Sequence, residues 1–161
     1  MPIVLITPPV TIPNEHLLLN AMLHRGLPRV HVRKPSQCLE AYSDYIQHIN
    51  PEYRTRVTIH DFHELSQKFS LGGVHYRTSA LPEDLITAPS STQIASLGFH
   101  NPDDLVVDRG DVGYCFLSPI YESISKTGYG PGAVIADRRK LSEFISKSRY
   151  PVVALGGKAW F

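Results

Sequence analysis

The sequence predicts an α/β protein in which a parallel sheet is covered by helices. Short β-branched or apolar runs recur along the 161 residues, and each is about 4–5 residues long, the length of a buried strand. Segments with apolar residues at 3–4 spacing lie between several of these runs, in units of roughly 20–25 residues. The predicted strands are 3–6, 29–32, 56–59, 73–76, 92–95, 113–117 and 151–155.

Helix signals occupy four of the intervening segments. Asn14, Ser36 and Asp61 are predicted N-caps, because their short polar side chains can accept from free backbone N–H groups. The apolar stripe of the first helix is predicted from Leu17, Leu18, Ala21 and Met22. The predicted helices are 14–26, 36–48, 61–69 and 137–146.

Two architectures fit this alternation, an open doubly wound sheet and a (β/α)₈ barrel. In both, ligands bind at the carboxyl ends of the strands. Only seven strand-like runs are present, and the sequence stops within a few residues of the seventh. A barrel made from this chain is therefore expected to lack its eighth strand, and the exposed strand edges would favour self-association as a homo-oligomer.

Composition excludes several classes of protein. Hydrophobic residues make up 42% of the chain and charged residues 19%, which is typical of a single globular domain over 1–161. The formal net charge of +1, without a basic or acidic block, argues against nucleic acid or a membrane surface as the main partner. Cys38 and Cys115 form no metal-binding or disulfide pattern. The proline-interrupted N-terminus is not a signal peptide, so a cytoplasmic location is expected.

Polar side chains follow the predicted strands at the edge where ligands would bind. Arg33 and Lys34 follow the second strand, and either could be a ligand-binding cation or a solvated loop residue. His60 and His63 could be a pair of zinc ligands or simply structural residues. His75 is predicted to be a core histidine.

The stretch "FLSPIYESISKTGYGPG" (116–132) brings hydroxyl, ammonium and glycine residues together directly after the sixth strand. Together with the glycine pair Gly156-Gly157, it supplies the backbone N–H groups and side-chain donors that bind phosphate. The sequence thus predicts a site for a phosphorylated ligand.

Four segments resemble the thiamine phosphate synthase family and its TenI-like relatives. They are "VHVRKP" (30–35), "TIHDFHELSQKFSLGGVHY" (58–76), "FLSPIYESISKTGYG" (116–130) and "VVALGG" (152–157), in the order of the family. The resemblance implies a (β/α)₈ barrel. It also implies a Mg²⁺-dependent transferase of thiamine biosynthesis that joins hydroxymethylpyrimidine diphosphate to thiazole phosphate and releases pyrophosphate.

The first two segments imply roles around the diphosphate. Arg33 matches the family's diphosphate-binding arginine, and Lys34 stands one place early for its lysine. His31 replaces a glutamine and His60 an asparagine, both in substrate-binding positions. Asp61 matches a metal-binding aspartate and is the predicted Mg²⁺ ligand.

The later segments imply the rest of the site. Ala80 stands where the family has a second metal-binding aspartate, so the Mg²⁺ site is expected to be weaker. Lys126 is predicted to be catalytic together with Arg33. The predicted substrate-binding residues here are Ser96, Ser123, Ser125, Gly156 and Gly157.

Two other functions remain open from the sequence. One is a TenI-like protein that acts on a thiazole phosphate without diphosphate chemistry, which the loss of the carboxylate at Ala80 favours. The other is a regulatory or binding protein for a phosphorylated ligand, without turnover.

Overall fold

The computed structural model describes residues 3–77, 90–122, 128 and 130–156. Its strands follow one another in sequence order and are parallel where they pair. This is the predicted α/β architecture, consistent with an incomplete TIM-type barrel. The strands are β1 (Val4–Ile6), β2 (Arg29–Val32), β3 (Val57–Ile59), β4 (Gly73–Arg77), β5 (Ile94–Phe99), β6 (Tyr114–Leu117) and β7 (Val152–Ala154).

Among the described residues, four helices lie within predicted segments: α1 (Glu15–His24), α2 (Leu39–Gln47), α3 (Glu64–Lys68) and α5 (Arg138–Ser146). A fifth, α4 (Ala133–Ala136), was not predicted. Helix α5 begins as predicted, because the Asp137 side chain accepts from two backbone N–H groups of the first turn. The N-caps of α2 and α3 are Cys38 and His63 rather than Ser36 and Asp61. None of the helices in these described ranges is long and apolar enough to cross a membrane.

The predicted apolar stripe of α1 is wrong. Leu17 and Leu18 are 59% and 58% exposed, and the buried residues are Glu15, Leu19 and Leu23. These lie at i, i+4 and i+8, which is one face of a helix. The buried face of the helix therefore differs from the predicted one, and its first residue is the charged Glu15 rather than a leucine.

The chain divides into two compact units. The first unit is Met1–His75 with Ala88–Ile94, and the second is Tyr76–Thr87 with Ala95–Phe161. In the first, β2 pairs with β3 so that Val32 lies opposite Ile59, and β3 pairs with β4 so that Ile59 lies opposite Val74. These three side chains are fully buried, so one face of this sheet is apolar core.

The second unit has its own core on β5, β6 and their neighbours. Leu97 and Phe99 of β5 are fully buried, as is Leu117 of β6. Leu141 and Phe144 of α5 are partly buried and pack against this cluster. The fifth strand therefore runs further along the chain than the predicted 92–95.

Gly72, directly before β4, is expected to stabilise the fold because a larger residue does not fit there. Its backbone N–H donates to the carbonyl oxygens of Arg54 and Val57, each at 2.9 Å. A Cβ at this position would overlap the carbonyl oxygen of Thr55. We expect Gly72→Ala to lower the free energy of unfolding by about 1–3 kcal/mol, because backbone on both sides must move to relieve the overlap. Urea denaturation followed by circular dichroism measures this loss.

Gly132→Ala is the matched control for Gly72→Ala. A Cβ at Gly132 would meet no atom within 4 Å, so stability should be unchanged. If the two substitutions changed the free energy of unfolding equally, the backbone would relieve the overlap at Gly72 without an energetic penalty.

Candidate functional site

Arg33 lies at the carboxyl end of β2 in the first unit. Its backbone N–H donates to Thr7 Oγ1 at 3.0 Å, which fixes the chain directly after β1 and β2. The side chain is partly buried, and its guanidinium makes no hydrogen bond or ion pair with the described residues. The guanidinium of Arg33 thus carries an uncompensated positive charge at the strand end. It can form charge-assisted hydrogen bonds with a bound anion.

Lys34 points into a different environment. Its ammonium donates to both carboxylate oxygens of Glu15, at 2.7 and 2.8 Å, and to the carbonyl oxygen of Pro8 at 2.8 Å. The Lys34 side chain is 0% exposed. The charge expected to contact substrate is therefore neutralised by a buried carboxylate, and Lys34 is not part of the proposed site.

Three histidines meet on the face of the sheet opposite the buried valines and isoleucine. Successive side chains of a strand alternate between faces, and the registers place His31 of β2, His60 directly after β3 and His75 of β4 on the same face. His31 Nδ1 lies 2.9 Å from His60 Nε2, and the His60 and His75 rings stack with centroids 4.1 Å apart. We call His31, His60 and His75 the histidine cluster.

Burial controls the charge of His31. His31 is fully buried and His75 is 6% exposed. Burial, followed by the nearby His75 and Arg29, lowers the pKa of His31 to about 2. The ring of His31 is therefore neutral at physiological pH.

Within the described residues, His63 is not part of the group of histidines whose nitrogens gather closely enough to hold a metal ion. Its Nε2 lies 3.1 Å from the carbonyl oxygen of His75. A carbonyl oxygen can only accept, so this nitrogen donates and is not available as a ligand. This bond gives His63 the structural role that its sequence also allowed.

Asp61 follows β3 by two positions and is partly buried. Its charge lies near Tyr42, whose hydroxyl donates to the carbonyl oxygen of Val32 at 2.7 Å. Burial first, and the Asp61 carboxylate in addition, raise the pKa of Tyr42 above its ordinary range. A single carboxylate fits Mg²⁺ where phosphate oxygens and water supply the remaining ligands.

Among its described residues, the second unit contains two of the predicted substrate-binding residues. Ser96 was expected just after a strand but lies inside β5 and is fully buried. Gly156 follows β7 with φ +89°, and a Cβ there would lie 3.3 Å from Pro119 Cα. Glycine is therefore the residue this position accepts, since positive φ strains other residues.

Four predicted site residues, Ser123, Ser125, Lys126 and Gly157, lie outside the described residues, as does Ala80. Their assignments remain predictions.

The histidine cluster is the feature that sequence reasoning missed. His75 was assigned to the core, and His60 was compared with His63 along the chain rather than with its neighbours across the sheet. The signal was present in "VHV" (30–32), "TIH" (58–60) and "GVH" (73–75), where a histidine alternates with buried aliphatic residues in three strands.

Parallel strands in sequence order, with polar side chains at their carboxyl ends, define an α/β protein of the TIM-barrel class. The sequence model of the thiamine monophosphate synthase family matches residues 3–160, and the chain belongs to that family. The resemblance inferred from the four motifs is thereby confirmed.

Solved structures support the same fold. A thiamine phosphate pyrophosphorylase from Bacteroides thetaiotaomicron superposes with a TM-score of 0.71 at 24% identity, over 98% of this chain and 73% of that one. A thiamine phosphate pyrophosphorylase from Pyrococcus furiosus gives a TM-score of 0.67 at 16% identity, over 96% of this chain and 74% of that one. No curated protein sequence matches the chain.

Proposed function

We propose that this chain is a transferase of the thiamine phosphate synthase type. It would join hydroxymethylpyrimidine diphosphate to a thiazole phosphate and release pyrophosphate. The observation that carries the proposal is the uncompensated guanidinium of Arg33, at a strand end of a chain that belongs to this family.

Arg33 would stabilise the leaving diphosphate. Breaking a carbon–oxygen bond to diphosphate places negative charge on the departing oxygens. A fixed cation accelerates this step if it stabilises the transition state more than it stabilises the bound substrate. A guanidinium can donate two parallel hydrogen bonds to phosphate oxygens. The hydrogen bond from the Arg33 backbone to Thr7 holds the base of the side chain in place. In this proposal Lys126 adds a second cation, and Ser123, Ser125 and Gly156-Gly157 bind the substrates.

Asp61 would hold Mg²⁺, which neutralises diphosphate charge when it is bound. Since Ala80 offers no carboxylate, the aspartate would be the main protein ligand and the diphosphate would supply further oxygens. His31 and His60, in place of the amides of the family motif, would line the substrate side of the same strand ends.

The test is pyrophosphate release from the purified chain. We expect pyrophosphate to appear, in a coupled phosphate assay, only when Mg²⁺ and both substrates are present. The product is identified as thiamine phosphate by mass spectrometry. Omission of each substrate in turn is the control, because hydrolysis of the diphosphate alone would give pyrophosphate without the second substrate.

A second function is favoured by the lone carboxylate at Asp61. A TenI-like protein that acts on a thiazole phosphate needs no diphosphate chemistry and hence no second metal-binding aspartate. Calorimetric binding of thiazole phosphate without pyrophosphate release would overturn the synthase proposal in favour of this function or of a binding protein.

A further inference from the structure

We propose that the histidine cluster binds a late first-row divalent transition metal, Zn²⁺ in the first place. One ring nitrogen from each of His31, His60 and His75 lies within 4.8 Å of the other two. This site goes beyond the proposed function, in which His31 and His60 line the substrate side of the strand ends and the metal is Mg²⁺ on Asp61.

The geometry is close to what a metal requires. Tetrahedral Zn–N bonds of about 2.0–2.1 Å place neighbouring ligand nitrogens about 3.3–3.4 Å apart. The His31 Nδ1–His60 Nε2 distance is 2.9 Å, and the 4.8 Å limit covers the remaining pairs. The His60 and His75 rings are stacked with their planes 29° apart. Because imidazole lone pairs lie in the ring planes, these two rings must rotate out of the stack to direct their nitrogens at one ion.

The scaffold holds the three ligands on neighbouring strands. His31 lies within β2 and His75 within β4, and His60 begins directly where β3 ends. The His60 backbone N–H donates to the carbonyl oxygen of Val32 at 3.2 Å, which continues the ladder between β2 and β3. The bond from His63 Nε2 to the carbonyl oxygen of His75 holds the backbone of the third ligand.

The three imidazole nitrogens determine which metal ions the site prefers. Three imidazole nitrogens suit Zn²⁺, Co²⁺, Ni²⁺ and Cu²⁺, whereas Mg²⁺ prefers oxygen ligands. Three histidines also leave a fourth coordination position for water or for an oxygen of a bound ligand.

Metal binding requires the ring hydrogen between His31 and His60 to move, and both rings stay neutral. The short contact between His31 Nδ1 and His60 Nε2 places one hydrogen between two ring nitrogens. Ligation needs a lone pair on both, so that hydrogen moves to the other nitrogen of its own ring. No external oxidant, base or co-reactant is required.

The experiment measures metal binding by the full chain without thiamine precursors. The protein is stripped with a chelator and dialysed against Zn²⁺ in the presence of excess Mg²⁺, and bound zinc is determined by plasma mass spectrometry. We expect one equivalent of zinc per chain, and a rise of the thermal midpoint on addition of Zn²⁺. X-ray absorption of the zinc-loaded chain should show three imidazole ligands.

His60→Asn should weaken zinc affinity at least about tenfold, since one of three ligands is lost at a partly buried position. The matched control is His48→Asn, which removes an exposed histidine from another close ring pair, His16–His48, with centroids 5.0 Å apart. The control should keep its zinc.

Wild-type protein that binds no stoichiometric zinc would overturn the proposal. So would a zinc spectrum without three imidazoles, or loss of zinc in His48→Asn but not in His60→Asn. If His60→Asn fails to fold, the X-ray absorption spectrum of the wild type decides. The assay contains no substrate, so failure of pyrophosphate release leaves this result unaffected.

Discussion

Lys34→Met is expected to lower the free energy of unfolding by about 3–5 kcal/mol. The substitution leaves the carboxylate of Glu15 buried without its cation, and the Glu15 side chain is only 6% exposed. Removing one partner of a buried ion pair costs far more than the pair contributes net, because the remaining charge is still desolvated. Urea denaturation at neutral pH measures the loss.

The environment of Glu15 explains why the effect is large. Its Oε1 accepts from Tyr45 Oη at 2.7 Å as well as from Lys34, and its Oε2 accepts from the backbone N–H of Ile12 at 3.0 Å. Lys34 in turn donates to the carbonyl oxygen of Pro8. The pair therefore ties the segment after β1 to α1 and to the end of β2, and its loss releases all three.

The same pair makes stability depend on pH in the acid range. Burial alone would raise the pKa of Glu15, but the hydrogen bonds from Lys34, Tyr45 and Ile12 outweigh it and lower the pKa below its ordinary 4.5. A carboxyl with a lowered pKa in the folded state stabilises above its unfolded pKa, and that stability is lost as pH falls through the folded pKa. Thermal midpoints of wild type should therefore fall more steeply below about pH 4.5 than those of Glu15→Gln.

Lys147→Met is the control for Lys34→Met. Lys147 and Glu143 form an ion pair of the same length, 2.7 Å, but both side chains are 63% exposed. Exposed pairs contribute little because water solvates each charge when the other is removed. If the two lysine substitutions had equal effects, burial would not be what makes the Glu15–Lys34 pair important.

Much of the fold could be predicted because its signals are local. The strand β2 occupies its predicted range of 29–32, and the cap at Asp137 starts α5. The fifth strand was placed too early because Ser96 and Gly98 look like loop residues in sequence. Tertiary packing of Leu97 and Phe99 instead keeps them inside β5, which no local propensity indicates.

The site was harder to predict because its decisive contacts join distant segments. Arg33 and Lys34 are adjacent and looked equivalent, but strand alternation sends them to opposite faces. Lys34 shares its face with the buried Val30 and Val32, where Glu15 neutralises it, and Arg33 shares the face of His31. The alternation of Arg33 and Lys34 between the two faces could be predicted from the sequence. That Glu15, 19 residues before Lys34, is its ion-pair partner could not.

Arg33→Ala is expected to lower kcat/KM for pyrophosphate release by about 10²–10³. The guanidinium is the charge that the leaving diphosphate would meet at the end of β2, and the mutation removes it without removing the backbone hydrogen bond to Thr7. Arg33→Lys should recover only part of the rate, since an ammonium keeps the charge but loses the two parallel hydrogen bonds. Initial rates over a range of the diphosphate substrate, at saturating thiazole phosphate, measure both.

Arg25 provides the control because it lies before β2, at the opposite end of the strand from Arg33, and is exposed. Arg25→Ala should leave kcat/KM unchanged, so general loss of positive charge is separated from loss of charge at the carboxyl end. Arg33→Ala should also change the free energy of unfolding by less than about 1 kcal/mol, because its guanidinium makes no contact with a polar group of the described residues. A variant that loses stability and activity together would mark Arg33 as structural, and normal turnover by a folded Arg33→Ala would remove it from the site.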